Sequence, residues 1–185
     1  MTTSSPTSNT IGFIGLGNMG SAMASHLCKA GYTVLAWARS PASFETLAHL
    51  PLQAQSSIEA LCANTKLIAL NVTNTADVES LLFRQGGIAQ HAQRGSIVVD
   101  FSTIDAAAVA EFAPRLKTLG IDYIDCPVSG GVAGARAATL SMMAGGDLAA
   151  FQHIEPMLRH LGKTIRHVGP SGAGQAIKAA NQMAL

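Results

Sequence analysis

A glycine-rich turn between a strand pattern and a helix pattern constrains the fold of this chain most. The stretch "GFIGLGNMG" carries Gly15, Gly17 and Gly20 in the spacing G-x-G-x-x-G. Glycine is common, so this spacing alone would indicate only a glycine-rich loop. Here an apolar strand pattern precedes it, a helix pattern ending at Gly31 follows, and a second strand comes about 20 residues on. That context predicts a dinucleotide-binding turn.

Each glycine of this turn has its own predicted role. Gly15 permits the tight turn, Gly17 lets the backbone approach a pyrophosphate, and Gly20 lets the helix pack against the strand. The helix N-terminus supplies free N–H groups and a partial positive charge for the phosphates. The predicted cofactor contacts in this turn are Gly15, Leu16, Gly17, Asn18, Met19 and Gly20.

The rest of the chain alternates short apolar runs with helical patterns. Predicted later strands include "YTVLAWA", "KLIALNV", "GSIVVDFS", "IDYIDCPV", "ATLSMMAGG" and "KTIRHVG". Such alternation with short loops predicts an α/β fold, a Rossmann-type doubly wound and mainly parallel sheet with helices on both faces. We expect residues 1–10 to be a disordered tail, residues 11–169 to form the dinucleotide-binding domain, and residues 170–185 to begin a further helix.

Composition narrows the choice of partners. Apolar residues make up 48% of the 185 residues, but charged residues only 12%, against roughly 25% in an average domain. The low charge predicts that some surface is buried against another element. A net charge of +1 without a basic block gives no indication of a nucleic acid or an anionic membrane as partner.

The first ten residues and the cysteines indicate the compartment. The start, "MTTSSPTSNT", lacks the features of a signal peptide, and no apolar run approaches the roughly 18 residues of a membrane span. The three cysteines are far apart and form neither a metal-spaced pair nor a disulfide framework. We therefore expect a cytoplasmic protein without a metal site.

The end of the second strand bears on the choice of cofactor. An NAD site needs an acid there for the ribose hydroxyls, but "AWARSP" has Ala38 in that place, followed by Arg39 and Ser40. A guanidinium and a hydroxyl suit a 2′-phosphate. The alternative is that Arg39 is only a solvated surface cation. The pattern favours NADP, with NAD still possible.

Two later strand ends should also face the cofactor, because ligands of open sheets bind beyond the carboxyl ends of the strands. They are "NVTNTADV" and "DFSTID". In the second, Ser102 and Thr103 are either hydrogen-bond donors near the nicotinamide ribose or the N-cap of the next helix. Both interpretations stay open, and one residue can serve both.

Candidate substrate groups lie in the last third of the chain. In "DCPVSGG", Ser129 followed by Gly130 and Gly131 exposes backbone N–H groups and forms either a carboxylate-holding concavity or an ordinary tight turn. Lys178 and Asn181 are three residues apart and share a helix face. Lys178 can pass a proton to or from a substrate oxygen if it lies near the cofactor. Otherwise it is a solvated lysine.

Four motifs together resemble the β-hydroxyacid dehydrogenase family. They are "IGFIGLGNMGSAMASHLCKAG", "DCPVSGG", "GARAATLSMMAGG" and "GPSGAGQAIKAANQ", in family order over residues 11–185. The family includes 3-hydroxyisobutyrate dehydrogenase, tartronate semialdehyde reductase, succinic semialdehyde/glyoxylate reductases and, more distantly, 6-phosphogluconate dehydrogenase. The resemblance implies hydride transfer between a nicotinamide cofactor and a small carboxylate-bearing substrate, a β-hydroxy acid or its semialdehyde or keto acid.

The resemblance also assigns residue roles. It implies that Lys178 is the catalytic acid/base and that Ser129, Gly130 and Gly131 hold the substrate carboxylate. Asn181 then helps to hold the substrate and Lys178, and Thr103 lies at the cofactor. One stretch departs from the family, which often has Met-Leu-Pro where this chain has Asn71, Val72 and Thr73. There we expect a backbone contact to the cofactor at Val72 and assign no side-chain role.

The resemblance further implies that the last helix leads into an all-helical C-terminal domain that this chain lacks. In the family that domain completes the substrate cleft and builds the dimer, so we expect a homo-oligomer for the full-length protein. One alternative function is a dinucleotide-binding module without turnover of its own. Another, an imine reductase, should lack the "PVSGG" stretch and the lysine.

Overall fold

Strands and helices alternate along the chain in a computed structural model that describes residues 9–40, 42–45 and 47–183. The strands are β1 (Thr10–Ile14), β2 (Thr33–Trp37), β3 (Gln53–Ala54), β4 (Leu67–Leu70), β5 (Ile97–Asp100), β6 (Asp122–Asp125), β7 (Val128–Ser129), β8 (Leu140–Gly145) and β9 (Gly162–Gly169). The helices are α1 (Asn18–Lys29), α2 (Ala42–Glu45), α3 (Ile58–Asn64), α4 (Thr75–Phe83), α5 (Ile88–His91), α6 (Ala106–Thr118), α7 (Gly131–Ala137), α8 (Leu148–Leu158) and α9 (Ala173–Met183). None of the helices in these ranges has both the length and the apolar character that a membrane crossing requires.

The sheet is doubly wound and mainly parallel, as the sequence predicts. Its strand order is β3-β2-β1-β4-β5-β6-β8-β7, with β9 paired to β8. The strands from β3 to β6 are all parallel to their neighbours, whereas β8 runs antiparallel to β6 and β7 and parallel to β9. The chain extends the sheet first to one side of β1 and then, from β4 onward, to the other. The topological switch point therefore lies between β1 and β4.

Alternate residues of β1 enter two separate cores. Ile11 and Phe13 pack with apolar residues of α1 and α8, while Ile14 packs on the opposite face with residues of α3, α4 and α6. All three side chains are at most 1% exposed. Helices thus cover both faces of the sheet, which explains why its parallel strands are apolar almost throughout.

The sequence patterns do not predict the short helix α7. It follows Gly130 and contains glycines, which have low helix propensity. Packing against α1 stabilises this helix although its own residues favour it little. His26 of α1 donates a hydrogen bond from Nε2 to the backbone oxygen of Arg136, at 3.0 Å. Tertiary contact therefore stabilises a helix in a stretch whose composition suggests only a turn.

The first strand begins one residue before the predicted start of the domain. The expected tail falls mostly outside the described residues, but Thr10 already belongs to β1 and the Asn9 side chain donates to the backbone oxygen of Gly31 at 3.0 Å. The ordered chain thus begins before residue 11. In the stretch "PASFETLAHL", the structure has a short helix at Ala42–Glu45, and positions 41 and 46 lie outside the described residues.

Candidate functional site

A cleft of about 470 Å³ opens beyond the carboxyl ends of β1, β2 and β4. This is the switch point of the sheet, the place where ligands of open α/β folds bind. Of the predicted cofactor residues, Gly20, Ser102 and Thr103 do not line it, whereas the others do: Gly15, Leu16, Gly17, Asn18, Met19, Arg39, Ser40 and Val72. The fold thus brings three separate sequence segments into one concave surface, hereafter the switch-point cleft.

The three glycines of the turn meet different surroundings. Gly15 has φ +101°, and a Cβ there would lie 2.2 Å from the backbone oxygen of Asn71; a Cβ on Gly20 would lie 1.9 Å from that of Gly15. At Gly17, by contrast, a Cβ would meet nothing within 4 Å. The protein's own packing therefore requires Gly15 and Gly20, whereas Gly17 leaves open space over the backbone. That space and the N-terminus of α1 fit a dinucleotide pyrophosphate.

The end of β2 carries a contact that the sequence analysis missed. Ala38, Arg39 and Ser40 line the switch-point cleft, and so does Asp77 in the first turn of α4. Arg39 Nη1 lies 3.6 Å from Asp77 Oδ1, and the Arg39 side chain is 87% exposed. Asp77, from the helix α4, thus faces Arg39, the residue predicted to bind the 2′-phosphate. The sequence indicates this contact only by an aspartate in the segment that follows β4 at the switch point.

A second arginine enters the same cleft. The Cζ atom of Arg84 lies 5.5 Å from the centroid of the Trp37 ring, within range of a cation–π contact, and both residues line the cleft. Among its described lining residues, the charged ones are Arg39, Asp77 and Arg84. The cleft therefore carries one net positive charge, which suits a phosphate-bearing ligand.

Ser102 supports the cleft wall from beneath. It is 2% exposed, its Oγ accepts a hydrogen bond from the backbone N–H of Val72 at 2.9 Å, and its own N–H donates to Asp100 Oδ1 at 2.9 Å. These bonds hold the end of β4, where Val72 lines the cleft, against the end of β5. Ser102 is thus buried below the surface on which we expected it to meet the ribose.

The N-cap interpretation of Ser102 and Thr103 is wrong. The cap of α6 is Asp105, whose Oδ1 accepts from the N–H of Ala107 at 2.9 Å. Asp is as good an N-cap as Ser or Thr, and local sequence does not tell adjacent candidates apart. Thr103 is exposed. It does not line the switch-point cleft, so its predicted place at the cofactor stays a prediction.

Two fully buried acids lie at the ends of β5 and β6. Asp100 accepts hydrogen bonds from the Ser102 N–H and from the Tyr123 hydroxyl, the latter at 2.6 Å. Asp125 is also 0% exposed. Burial, more than any other cause, raises the pKa of Asp100 to about 6 and that of Asp125 to about 6. Both carboxyl groups therefore keep their protons to a higher pH than an exposed aspartate does.

Asp125 ties α9 to the sheet. Its Oδ1 accepts from the N–H of Gly172 at 2.8 Å and its Oδ2 from that of Gln175 at 3.0 Å. The Gln175 side chain, 2% exposed, continues the link: its Nε2 donates to the backbone oxygen of Ser102 at 2.9 Å, and its Oε1 accepts from the N–H of Ile104 at 3.1 Å. No pattern in the sequence indicates either Asp125 or Gln175 as part of this link.

Lys178 and Asn181 follow on the same helix. Lys178 lies three residues after Gln175 and is partly buried, and the exposed Asn181 lies three residues further on. Residues at this spacing share a helix face. Lys178 therefore lies on the same face of α9 as Gln175, whose side chain bonds to the segment around Thr103.

At Ser129–Gly131 the chain passes from the end of β7 through a tight turn into α7, with Ser129 half-buried and both glycines exposed. Gly130 has φ +126° and Gly131 has φ +58°, a region that favours glycine. The turn lies four residues beyond Asp125, the residue that anchors α9. The geometry accounts for the two glycines, and a carboxylate site at this turn stays a prediction.

Comparison with known proteins gives the family. Residues 10–169 match the model of the NAD binding domain of 6-phosphogluconate dehydrogenase. The chain is 39% identical over 173 residues to 2-hydroxy-3-oxopropionate reductase of Escherichia coli, covering 94% of this chain and 59% of the relative. The solved structure of 3-hydroxyisobutyrate dehydrogenase from Mycobacterium tuberculosis with L-serine is similar at a TM-score of 0.87 and 31% identity, covering 95% of this chain and 59% of that one.

The fold is also shared with imine reductases. Structures of the Myxococcus stipitatus imine reductase match at 26% identity and a TM-score of 0.83 for the NADP+ complex, and at 27% and 0.86 for a variant with NAD+. Each match covers 95% of this chain and 60% of the imine reductase chain. The shape of the domain alone therefore does not separate the two activities.

Each of these proteins is longer than the chain described here, which spans about 60% of their length. The part that the family model matches, residues 10–169, contains the glycine turn and the switch-point cleft. The chain belongs to the β-hydroxyacid dehydrogenase family, and its residues 10–169 form a domain of the 6-phosphogluconate dehydrogenase NAD-binding type.

Proposed function

We propose that this chain is the cofactor-binding half of an NADP-dependent oxidoreductase that interconverts a short-chain β-hydroxy acid and its semialdehyde or keto acid. The observation that carries the proposal is the switch-point cleft, which gathers the glycine turn, the end of β2 and the end of β4. The relatives whose activity is named are dehydrogenases or reductases.

The residues around the cleft fit NADP in three places. The glycine turn and α1 would hold the pyrophosphate, and Arg39 and Ser40 would hold the 2′-phosphate. The backbone at Val72 would contact the cofactor from the opposite wall of the cleft. Bound there, the cofactor gives or accepts a hydride at its nicotinamide. The absence of an acid at Ala38 and the net positive charge of the cleft support NADP over NAD.

Lys178 is the proposed acid/base. Its ammonium group would give a proton to the carbonyl oxygen as the substrate is reduced, and its amine would take that proton back in the oxidation. Support comes from its place one turn after Gln175, which is bonded to both sides of Thr103. Asn181, one turn further, would help to hold the substrate and Lys178.

A substrate carboxylate is assigned to Ser129, Gly130 and Gly131. This turn is joined through Asp125 to the start of α9, so one rigid segment would position both the carboxylate and the proton donor. Because the relatives are longer than this chain, we propose that the active enzyme also has an all-helical domain that completes the substrate cleft and builds a homo-oligomer in the cytoplasm. The substrate would be a small molecule of the hydroxy-acid class.

A second candidate is a dinucleotide-binding module without turnover. It is favoured by the exposure of Asn181 and of Ile177, which is 43% exposed. The later turns of α9 are therefore open in the chain described here. The two candidates agree on the cofactor and differ only in catalysis.

The cofactor assignment is tested by titrating this chain with NADPH and with NADH in a calorimeter. We expect NADPH to bind at least about tenfold more tightly, a difference of roughly 1.4 kcal/mol, and Arg39→Asp to remove that preference. Arg166→Asp changes the net charge equally but lies on β9, away from the cleft, and should preserve it. Equal or tighter binding of NADH by the unchanged chain would reject the NADP assignment.

Catalysis is tested by assaying the catalytically complete protein, which includes the proposed helical domain, against 3-hydroxyisobutyrate, glyoxylate, succinic semialdehyde and tartronate semialdehyde. Lys178→Ala should lower kcat at least about a thousandfold, since general acid–base catalysis contributes roughly 10²–10⁴. The exposed Lys163, on β9, provides the control Lys163→Ala. Binding of NADPH with no turnover of any of these substrates would favour the binding module.

A further inference from the structure

The side-chain amide of Gln175 bridges two backbone groups that flank Thr103. Its Nε2 donates to the oxygen of Ser102 at 2.9 Å, and its Oε1 accepts from the N–H of Ile104 at 3.1 Å. The side chain is 2% exposed, so water does not replace either bond readily. One residue of α9 therefore pairs with the loop after β5 much as a neighbouring strand would.

The backbone of the same residue is held from a second direction. The Gln175 N–H donates to Asp125 Oδ2 at 3.0 Å, while the Gly172 N–H donates to Asp125 Oδ1 at 2.8 Å. Asp125 ends β6, whereas Ser102 follows β5. The first turn of α9 is thus fixed to the ends of two adjacent strands at once.

Close backbone packing removes any room for this turn to slide. A Cβ at Gly174 would lie 2.3 Å from the backbone oxygen of Met143, and one at Gly145 would lie 2.8 Å from the Gly174 nitrogen. Both glycines are buried. The helix therefore starts as near to β8 as its backbone atoms allow.

We infer that Gln175 is a positioning residue for Lys178: by bonding to both sides of Thr103, it sets the distance and direction from which Lys178 reaches a substrate at the cofactor. The inference rests on the proposed acid/base role of Lys178. Lys178 stands one turn after Gln175 on the same face, so a shift of the first turn moves its ammonium group as well. Displacements of about 1 Å at a catalytic group can cost about a hundredfold in rate.

The first test separates positioning from folding by kinetics in the catalytically complete protein. Gln175→Met keeps the length and volume of the side chain but loses both bonds, and Gln175→Glu keeps only the acceptor. Both should lower kcat about tenfold to a hundredfold, with the substrate KM and the NADPH Kd changed less than about threefold. Gln152→Ala, an exposed glutamine on α8, is the matched control.

The second test needs no turnover and uses this chain. Lysines are reductively methylated with ¹³C, and the Lys178 methyl resonance is assigned from its loss in Lys178→Arg. We expect this resonance to shift when NADPH is added, and Gln175→Met or Gln175→Glu to reduce the shift at least about twofold, although NADPH still binds. If one variant does not fold, the other provides the comparison.

The outcomes distinguish the inference from the proposed function. If Lys178→Ala retains full kcat, the acid/base role fails. If Lys178→Ala is inactive but both Gln175 variants keep kcat, only the positioning role is overturned. In this chain, an unshifted Lys178 resonance, or one that shifts equally in the Gln175 variants, overturns the positioning role whether or not the protein turns over.

Discussion

Arg39 Nη1 lies 3.6 Å from Asp77 Oδ1 in the switch-point cleft, so two elements contribute opposite charges at one spot. With the Arg39 side chain 87% exposed, this pair contributes little to stability. Asp77 competes with a ligand for Arg39. A 2′-phosphate that binds the Arg39 guanidinium comes close to the like-charged carboxylate of Asp77 and must displace it from Arg39.

Asp77→Asn should therefore tighten NADPH binding about threefold to tenfold and leave NADH binding unchanged, because only NADPH brings a 2′-phosphate beside that carboxylate. The gain should shrink as salt rises, since the site is exposed. Calorimetry at two salt concentrations measures both effects. Glu79→Gln, an exposed acid on the same helix outside the cleft, is the control; an equal gain for NADH and NADPH would contradict the prediction.

Gly17→Ala and Gly20→Ala should fail in opposite ways. Gly17 has φ −69° and open space above it, so alanine folds there with an unchanged Tm but weakens NADPH binding at least about tenfold by standing between backbone and phosphate. At Gly20 the added Cβ meets the Gly15 backbone oxygen at 1.9 Å, which should cost at least about 3 kcal/mol of folding free energy. Thermal unfolding and NADPH titration of both variants check this. Equal losses of stability would contradict it.

Two buried serines form a second matched pair. Ser102 Oγ accepts from the Val72 N–H, whereas Ser96 Oγ, also buried, has no hydrogen-bond partner within the described part of the chain. Ser102→Ala should destabilise the fold by about 1–2 kcal/mol because it leaves the partly buried N–H of Val72 without its partner. Ser96→Ala should be neutral or stabilising by about 1 kcal/mol, because it removes a buried hydroxyl that lacks a bond. Urea unfolding of the two variants decides. A larger loss at Ser96 would be incompatible with these bonds.

The buried acid Asp100 should make stability depend on pH. Its pKa is raised to about 6 in the folded state, above the value in the unfolded chain, so the folded form holds its proton more tightly. The resulting stability is present below about pH 4 and is lost as pH rises through about 6, by at most about 3 kcal/mol.

Asp100→Asn lacks this titration but can still accept from the Ser102 N–H and bond to the Tyr123 hydroxyl. We expect the stability of the variant relative to the wild type to rise between about pH 4 and pH 6 and to stay constant above about pH 6. Urea unfolding across this range measures it. Since burial also raises the pKa of Asp125 to about 6, the variant keeps part of the slope. Parallel profiles for the two proteins would contradict the account.

The elements that sequence predicts best are those whose signals are local. The glycine turn around Gly17, the helix α1 that follows it and the apolar strands are each indicated by a short stretch of residues. Such stretches also located the cleft, because the carboxyl ends of parallel strands meet at one edge of a sheet. The family motifs added Lys178 and Asn181 to that picture.

What the sequence does not reveal depends on contacts between distant residues. Gln175 bonds to Ser102, 73 positions away, and Asp125 to Gln175, 50 positions away. No local pattern marks a buried glutamine or an aspartate that accepts from a remote helix. Asp77 was missed for the same reason, since only the sheet topology places it beside Arg39.

The anchoring of α9 also determines where the chain can bend. Gly145 and Gly174 bring two backbones into contact, and Asp125 and Gln175 bond the first helical turn to the sheet. A hinge needs a segment whose backbone angles are free to change, and this turn offers none. Any swing of the later, exposed turns of α9 must therefore pivot after Gln175, and the first turn moves with the sheet as one rigid piece.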